Sequence, residues 1–330
     1  MSNSLNTLVI GGAGYIGSHT ALALKESGFN VVIYDNFSTG HRDACFGDHV
    51  VEGELSDTNK LIETFNNFDI GNVIHFAALI EAGLSVIDPI SFYKNNVTGT
   101  ISLLEAMKAV NLSRLVFSST AAVYGNTDGS KFLSENLPRT PINPYGESKA
   151  IVETMLESCV KSYGMQVIAL RYFNASGADP KGRTGERHNP ETHLIPLVIE
   201  TARGVRPQIH IYGTDYDTPD GTCIRDYIHV SDLATGHVEA VKKLQRSDVP
   251  EFTPINLGTG NGYSVKEVID AVKHVSGQDV KVIEAQQRQG DPAILVADVA
   301  TAKSELQWVP QQSNINQIVR DAWNFAIRQP

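Results

Sequence analysis

Cysteine is scarce in this sequence, and long apolar runs are missing from it. The three cysteines, Cys45, Cys159 and Cys223, have no paired spacing, so the sequence predicts neither a disulfide framework nor a zinc knuckle. No apolar stretch is long enough to span a bilayer, and residues 1–6 form a short polar segment unlike a signal peptide. We therefore expect a cytoplasmic protein with no membrane partner.

Basic residues are outnumbered as well. The chain has 27 lysines and arginines against 37 aspartates and glutamates, a formal net charge of -10. This balance argues against nucleic acid and anionic membranes as partners, whereas local arginines can still bind an anionic substrate. With 330 residues, of which 42% are hydrophobic, the sequence is typical of a globular enzyme with one large or two closely packed domains.

A glycine-rich turn near the start of the chain follows an apolar strand at residues 8–10 and precedes an apolar helix. Gly11, Gly14 and Gly17 permit a tight turn, close approach of backbone amides to a pyrophosphate, and close packing of helix on strand. A second apolar strand at 31–34 ends in Asp35, whose carboxylate suits an adenosine ribose and would repel a 2′-phosphate. The pattern predicts NAD as the cofactor.

Strand and helix patterns alternate through the first half of the chain, which predicts a parallel, doubly wound α/β sheet of the Rossmann type. Further strands are predicted at residues 50–51, 73–76, 115–117 and 167–170, and helices at 56–65, 92–110 and 145–163. After Arg171 the loops lengthen and regular alternation fades. We therefore expect an NAD-binding domain at 1–174 and a smaller mixed α/β domain at 175–330, which mainly binds substrate and returns some segments to the first.

Tyr145 and Lys149 lie one helical turn apart in the predicted helix, on the same face. A phenol titrates near pH 10 and is a poor base at neutral pH. A lysine cation and a cationic nicotinamide ring beside it would favour the phenolate and bring its pKa towards working pH. Together with Thr120 upstream, the pair is a candidate acid–base site.

Six stretches carry a resemblance to known enzymes: residues 11–20, 117–125, 144–149, 170–174, 220–230 and 256–260. On these residues the chain resembles the extended short-chain dehydrogenases/reductases and, among them, the UDP-glucose 4-epimerase family, over nearly its whole length. The glycine turn and the pair of Tyr145 and Lys149 mark the superfamily. The block around Arg225, residues 220–230, narrows the resemblance to the sugar-nucleotide epimerases within that superfamily.

The resemblance implies that the protein interconverts UDP-glucose and UDP-galactose. Tyr145, as phenolate, would remove the proton of the sugar 4-hydroxyl while the C4 hydride passes to tightly held NAD+. The 4-keto sugar would then turn over and take the hydride back on its other face. Lys149 would lower the pKa of Tyr145 and bind the nicotinamide ribose, and Thr120 would hydrogen-bond the reacting oxygen.

The resemblance also implies two sets of binding residues. The cofactor would be held by Gly11, Gly14, Tyr15, Ile16, Gly17, Asp35, Asn36, Glu54, Leu55, Phe76, Ala77, Ala78, Asn95, Ser118, Tyr145, Lys149, Tyr172 and Phe173. The UDP-hexose would be held by Thr120, Tyr145, Asn174, His193, Leu194, His210, Tyr212, Arg225, Arg288, Asp291 and Leu295. Arginine suits a diphosphate because its planar fork gives bidentate contacts.

Simpler interpretations of some of these residues stay open. Arg225 has an acidic neighbour, Asp226, with which it can form an ion pair, and the loop residues Arg288 and Asp291 can form a solvated surface pair. Asn95 can instead satisfy backbone groups at the start of the helix predicted there.

The histidines receive structural interpretations. His75, at a strand end among apolar neighbours, is interpreted as a packed core residue. His188 and His193 lack the spacing of two metal ligands on one helix face, so we predict no catalytic metal.

Three positions depart from the pattern of the family. Glu54 stands where an aspartate usually contacts adenine, and Ile80 stands where some members have a lysine that contacts the cofactor. Leu295 falls where a bulky aromatic residue restricts some members to plain hexoses and a small residue admits N-acetyl sugars. A dual-specificity epimerase that also acts on UDP-N-acetylglucosamine and UDP-N-acetylgalactosamine is therefore an alternative.

Other functions on the same scaffold are less favoured. A sugar-nucleotide dehydratase needs an acid–base pair directly after Thr120, where this chain has Ala121 and Ala122. A reductase would release its cofactor, and a non-catalytic NAD-binding protein would not need Thr120, Tyr145 and Lys149 together. Family members pair through two helices per subunit, so we expect a homodimer through a helix bundle formed by residues 96–110 and 146–163.

Overall fold

A seven-stranded parallel sheet forms the centre of the fold. The structure, a computed structural model, describes residues 6–125, 132–288 and 291–329, so most of the polar N-terminal segment discussed above lies outside the described residues. The strands of the first half are β1 Asn6–Ile10, β2 Val31–Asp35, β3 His49–Glu52, β4 Ile70–His75, β5 Arg114–Thr120 and β6 Gln166–Tyr172. The strands that follow are β7 Asn174–Ser176, β8 Ile209–Tyr212, β9 Ile224–Arg225, β10 Tyr227–His229, β11 Glu251–Leu257, β12 Tyr263–Ser264, β13 Val282–Ala285 and β14 Ile294–Leu295.

The strand order of the large sheet is β11-β6-β5-β4-β1-β2-β3, and every neighbouring pair is parallel. The order reverses between β1 and β4, the place where open α/β sheets bind ligands beyond the carboxyl ends of their strands. The predicted Rossmann-type sheet is therefore confirmed.

Helices cover both faces of this sheet because its strands alternate their apolar side chains. Val9 packs on one face, whereas Leu8 and Ile10 pack on the other. The helices are α1 Tyr15–Glu26, α2 Thr58–Asn67, α3 Ala82–Ile87, α4 Pro89–Phe92, α5 Gly99–Ala109, α6 Pro144–Tyr163, α7 Leu194–Ala202, α8 Val230–Arg246, α9 Val265–Ser276, α10 Ala300–Glu305 and α11 Ile315–Ala326. Among the described residues, every helix is too short or too polar to cross a bilayer.

The long helix predicted over residues 92–110 is interrupted. Between α4 and α5 the chain forms a π-helical turn over Tyr93–Thr98. Within this turn the buried side chain of Asn96 accepts a hydrogen bond from the backbone N–H of Leu79 at 2.8 Å. Its amide group donates to the carbonyl of Leu79 and to the hydroxyl of Ser148. These tertiary contacts accompany the change of helical register, which periodicity alone did not predict.

Elements from the second half of the chain extend the large sheet and also form smaller sheets outside it. Strand β11 extends the large sheet beside β6, and α8 packs against α1. The remaining strands form small sheets, in which β7 pairs with β10, β8 pairs with β13, and β9 lies between β12 and β14. A separate apolar core joins α7, α9 and α11.

A buried ion pair attaches α6 to the sheet. Glu153 and Arg171 are 0% and 3% exposed, and two hydrogen bonds of 3.0 and 2.6 Å join the guanidinium to the carboxylate. The same carboxylate accepts from Ser119 at 2.5 Å and from Arg139 at 3.1 Å. Because two strand residues and a loop arginine converge on one helical carboxylate, this network sets the position of α6.

Replacing Glu153 by glutamine should destabilise the protein strongly, because it leaves the buried charge of Arg171 uncompensated. We expect a loss of about 3–5 kcal/mol in the free energy of unfolding, measured by urea titration. Glu239→Gln, which breaks a partly exposed pair with Lys242, serves as control and should cost about 1 kcal/mol or less. Equal losses in both variants would contradict the role given to the buried pair.

Candidate functional site

A cavity of about 380 Å³ opens at the carboxyl ends of the central strands. Every residue predicted to bind the cofactor lines it, from the glycine turn after β1 to Tyr172 and Phe173 after β6. Of the residues predicted to bind substrate, Thr120, Tyr145, Asn174 and His193 line it as well. The strand order thus brings together residues that are distant in sequence.

The glycine turn has the geometry that a dinucleotide requires. Gly11 has a positive φ of 76°, and a Cβ on Gly17 would stand 2.2 Å from the carbonyl oxygen of Gly11. Gly14 begins α1 without a side-chain cap, and no acidic residue lies in the first turn. The N–H groups at this helix start are therefore available to an anion, and the residues fit the pyrophosphate of NAD.

Asp35 ends β2 at the cavity and is held by backbone hydrogen bonds. Its two oxygens accept from the N–H of Ala13 at 2.9 Å and of Phe37 at 2.8 Å. A carboxylate has about four acceptor positions, so it retains capacity for two ribose hydroxyls. Nearby, the carboxylate of Glu54 accepts from the side chain of Asn36 at 3.0 Å, which orients the residue that replaces the usual aspartate.

Thr120 and Tyr145 meet at another part of the cavity wall. Thr120 is the last residue of β5, and Tyr145 is the second residue of α6. Two features define the start of α6. Pro144 lies in its first turn, and the side chain of Asn143 accepts a hydrogen bond from the backbone N–H of Gly146 at 2.9 Å. The resulting geometry permits a hydrogen bond between the hydroxyl of Thr120 and the phenol of Tyr145.

Lys149 lies one turn further along α6 and is buried. Its ammonium donates to the carbonyl oxygen of Ser118 at 2.8 Å. Burial lowers the pKa of Lys149 to about 7, although the charge of Glu153 opposes this shift. Burial therefore makes the charged form of this lysine less favourable than that of an exposed lysine.

Burial also governs Tyr145. It raises the pKa of the phenol and outweighs the hydrogen bond with Thr120, which lowers it. The predicted lowering of this pKa by Lys149 and the nicotinamide ring thus remains a prediction about the cofactor-bound enzyme.

The other residues predicted to bind the UDP-hexose do not line this cavity. They are here called the second group: Leu194, His210, Tyr212, Arg225, Arg288, Asp291 and Leu295. Arg225 forms an ion pair of 2.5 Å with Asp291, and the guanidinium of Arg288 lies 4.0 Å from the ring centroid of Tyr212. His210 lies on the same strand as Tyr212, and their ring centroids are 6.1 Å apart. Leu194 starts α7 and packs in its apolar core.

The pairing of Arg225 with Asp226, considered from the sequence, is wrong. Asp226 points into the protein, where it accepts hydrogen bonds from the backbone N–H groups of Thr259, Gly260 and Ala297. Arg288 and Asp291 do not form the ion pair considered from the sequence either, because the carboxylate of Asp291 pairs with Arg225.

Asn174 connects the cavity to the second group. Its backbone and side-chain nitrogens donate to the carbonyl oxygen of Asp226 at 2.9 and 3.0 Å, one residue after Arg225. Leu295 lies opposite Arg225 in the pairing of β14 with β9, and it packs against the same apolar cluster as Phe173 of the cavity wall. A ligand that extends from Tyr145 past Asn174 would therefore reach Arg225.

Sequence reasoning missed several lining residues. Glu186 and His188 line the cavity together with His193, and Glu191 completes this group. Burial lowers the pKa of His193, but its bonds to Glu186 and Glu191 outweigh burial and raise it to about 10. The separation of the two histidines in sequence did not predict this proximity, because a loop folds them together.

Two interpretations made from the sequence can be compared with the contacts. His75 is buried and its Nε2 lies 3.0 Å from the hydroxyl of Thr100, as expected of a packed core histidine. Asn95 does not cap a helix start, since it lies inside the π-helical turn and donates to the side chain of Asn96.

Known proteins resemble this chain over almost its whole length. A family model described as the NAD dependent epimerase/dehydratase family matches residues 7–258. The chain is 47% identical to a UDP-glucose 4-epimerase of Rhizobium leguminosarum bv. trifolii, over 96% of both proteins. The crystal structure of UDP-glucose 4-epimerase from Brucella ovis in complex with NAD has a TM-score of 0.94 and 46% identity, and the match covers 97% of this chain and 98% of that one.

The likeness extends to a structure that contains a nucleotide as well. UDP-glucose 4-epimerase from Bifidobacterium longum, in complex with NAD+ and UDP, has a TM-score of 0.91 and 36% identity, with 98% of this chain and 99% of that chain covered. The resemblance stated from the sequence is confirmed. The chain therefore belongs to the NAD dependent epimerase/dehydratase family and, within it, to the UDP-glucose 4-epimerases.

Proposed function

We propose that this protein interconverts UDP-glucose and UDP-galactose by transient oxidation at C4 of the hexose, with NAD retained in the cavity. The observation that carries this proposal is the convergence of Thr120, Tyr145 and Lys149 on the wall of a cavity whose glycine turn fits a dinucleotide. A hydroxyl oxidised there needs a base and a hydride acceptor. The same groups, acting in reverse on the other face of the ring, change the configuration of C4.

Each residue of this group has a distinct role in the proposed reaction. Bound NAD+ supplies the acceptor for the C4 hydride. Tyr145 takes the proton of the 4-hydroxyl and later returns it to the 4-keto oxygen. Thr120 bonds the reacting oxygen and shortens the path of the proton. Lys149, when protonated, would stabilise the phenolate and would hold the nicotinamide ribose of bound NAD.

The nucleotide part of the substrate would extend towards the second group of residues. Arg225 and Arg288 carry guanidinium groups that suit a diphosphate. Asn174 lines the cavity with Tyr145 and donates to the carbonyl of Asp226, the neighbour of Arg225. We infer that residues 1–174 hold NAD and that residues 175–330 mainly hold the UDP-sugar, with β11 and α8 returning to the first domain. A dehydratase is disfavoured because Thr120 is followed by Ala121 and Ala122, which cannot transfer protons.

Tyr145→Phe should abolish the conversion of UDP-galactose while bound NAD remains. We expect a loss of at least about 100-fold in kcat, because the variant removes the acid–base group and keeps the ring. Turnover is measured without added cofactor, and NAD is quantified after denaturation of the purified protein. Tyr163→Phe, an exposed position on the same helix, is the control and should retain activity. Conversion by Tyr145→Phe at an undiminished rate would eliminate the proposed base.

Leu295 should influence whether N-acetylated UDP-hexoses are accepted. It lies opposite Arg225 and packs against the same apolar cluster as Phe173 of the cavity wall, so we expect a larger side chain to reduce the space on this side of the cavity. We expect Leu295→Tyr to lower kcat/KM for UDP-N-acetylgalactosamine relative to UDP-galactose by about tenfold or more. Leu295→Met, of similar volume, is the control. An unchanged ratio of the two values in the tyrosine variant would show that this position does not set specificity.

We also propose that two copies of the chain pair through α5 and α6. Ile101 on α5 and Ile151 on α6 are 40% and 37% exposed, and the preceding segment exposes Ile87 and Ile90 by 81% and 72%. Apolar residues grouped on the outside of neighbouring helices are typical of a surface that a partner covers.

Light scattering should therefore give twice the mass of one chain. The double variant Ile101→Glu, Ile151→Glu should shift the protein towards the monomer, because it introduces like charges at the centre of the proposed interface. Val249→Glu, at an exposed apolar position before β11, is the control and should leave the mass unchanged. A monomeric parent protein would disprove the pairing.

A further inference from the structure

A compact group of two glutamates and two histidines borders the cavity, and of the four only His193 was expected from the sequence to contact the substrate. Glu186, His188, Glu191 and His193 lie in the loop before α7, and each contributes one ligand atom to a set within 4.8 Å of one another. Three of the four line the cavity beside the glycine turn. We propose that this group, here named the loop cluster, binds a divalent transition-metal ion of the zinc type.

The distances within the loop cluster suit a four-coordinate ion. Nδ1 of His193 lies 2.6 Å from Oε1 of Glu186 and 3.3 Å from Oε1 of Glu191. Nδ1 of His188 lies 3.1 Å from the same oxygen of Glu186 and 3.9 Å from Oε2 of Glu191. Tetrahedral ligands at about 2.0–2.1 Å from zinc are about 3.3 Å apart. The four nitrogen–oxygen distances, which involve one oxygen of Glu186 and either oxygen of Glu191, lie on both sides of this value.

Charge gives a second reason for a cation. The side chains of Glu186 and Glu191 are only 6% and 8% exposed, although both are acidic and close together. Two carboxylates with little access to water repel each other and need compensation. One divalent ion has the charge that balances both carboxylates.

The surroundings hold the loop cluster in position. Tyr15 packs edge-on against His188, with ring centroids 6.1 Å apart, and donates its hydroxyl to the carbonyl of Gly177. Arg187 binds Asp43 through two hydrogen bonds of 2.8 Å. Oε1 of Glu191 also accepts from the backbone N–H of His193 at 2.8 Å. Contacts that orient the ligands in this way are typical of metal sites.

The donor set indicates which ions bind. Imidazole and carboxylate together suit Zn²⁺ and neighbouring first-row ions, whereas Mg²⁺ and Ca²⁺ prefer oxygen ligands alone. Because the loop cluster borders the wall formed by Gly14 and Tyr15, the ion would neutralise carboxylates close to the proposed pyrophosphate position. The loop cluster would thereby favour an anionic ligand in the cavity despite its two acidic side chains.

The test is a measurement of metal content in the tag-free, full-length protein with its cofactor. After treatment with a chelator, the protein is incubated with ZnCl₂, desalted and analysed for zinc, and the dissociation constant is determined by calorimetry. We expect about one zinc ion per chain for this four-ligand arrangement. In parallel, Co²⁺ should produce the visible absorption of a tetrahedral site.

Glu186→Gln, His188→Gln and His193→Gln should each raise the Kd for zinc by at least about tenfold, since even outer residues of metal sites have effects of that size. His274→Gln, an exposed histidine on α9, is the matched control and should bind zinc like the parent protein. Circular dichroism verifies folding. A parent protein that retains no zinc, or cluster variants that bind it like the parent, would overturn the proposal. Metal content is measured without turnover, so this outcome is independent of the epimerase assay.

Discussion

The buried pair of Glu153 and Arg171 is the interaction on which the position of the proposed active site depends. Glu153 lies one helical turn beyond Lys149, and its carboxylate also binds Ser119, the neighbour of Thr120. A charge removed from water has to keep its partners, so the helix cannot slide or rotate without losing them. The network therefore fixes α6 against β5 and β6, and with it the meeting of Tyr145 and Thr120.

The cavity combines groups of opposite electrostatic character within a small space. The uncapped start of α1 favours an anion, whereas Asp35 is held by backbone N–H groups at the position expected for a ribose. Lys149 has a pKa of about 7 because it is buried, so its charge is sensitive to what occupies the cavity. The proposed metal at the loop cluster would add a fixed positive charge on the side of the glycine turn. Limited access to water thus governs the pKa values of both Lys149 and Tyr145.

Much of this arrangement could be predicted from the sequence because it rests on local motifs. The glycine spacing, the acid after β2 and the spacing of Tyr145 and Lys149 each define a geometry within one or two elements, and all of them line one cavity. The π-helical turn at Tyr93–Thr98 was not predicted, since it accompanies contacts of Asn96 with Leu79 and Ser148, which are distant in sequence. The roles given to the site residues come from the family resemblance, and the structure adds their distances and burial.

The sequence by itself determined the strands and most of the helices of the first half, the dinucleotide turn and the spacing of Tyr145 and Lys149, because these depend on periodicity and on residues close together in the chain. Only the tertiary structure decided which charges pair. It placed Arg225 beside Asp291 and away from its neighbour Asp226, and it brought His188 and His193 to the same two carboxylates. The physical reason is that such pairs depend on how loops cross the ends of the strands. A loop follows the packing beneath it, and no local spacing in the chain encodes that path.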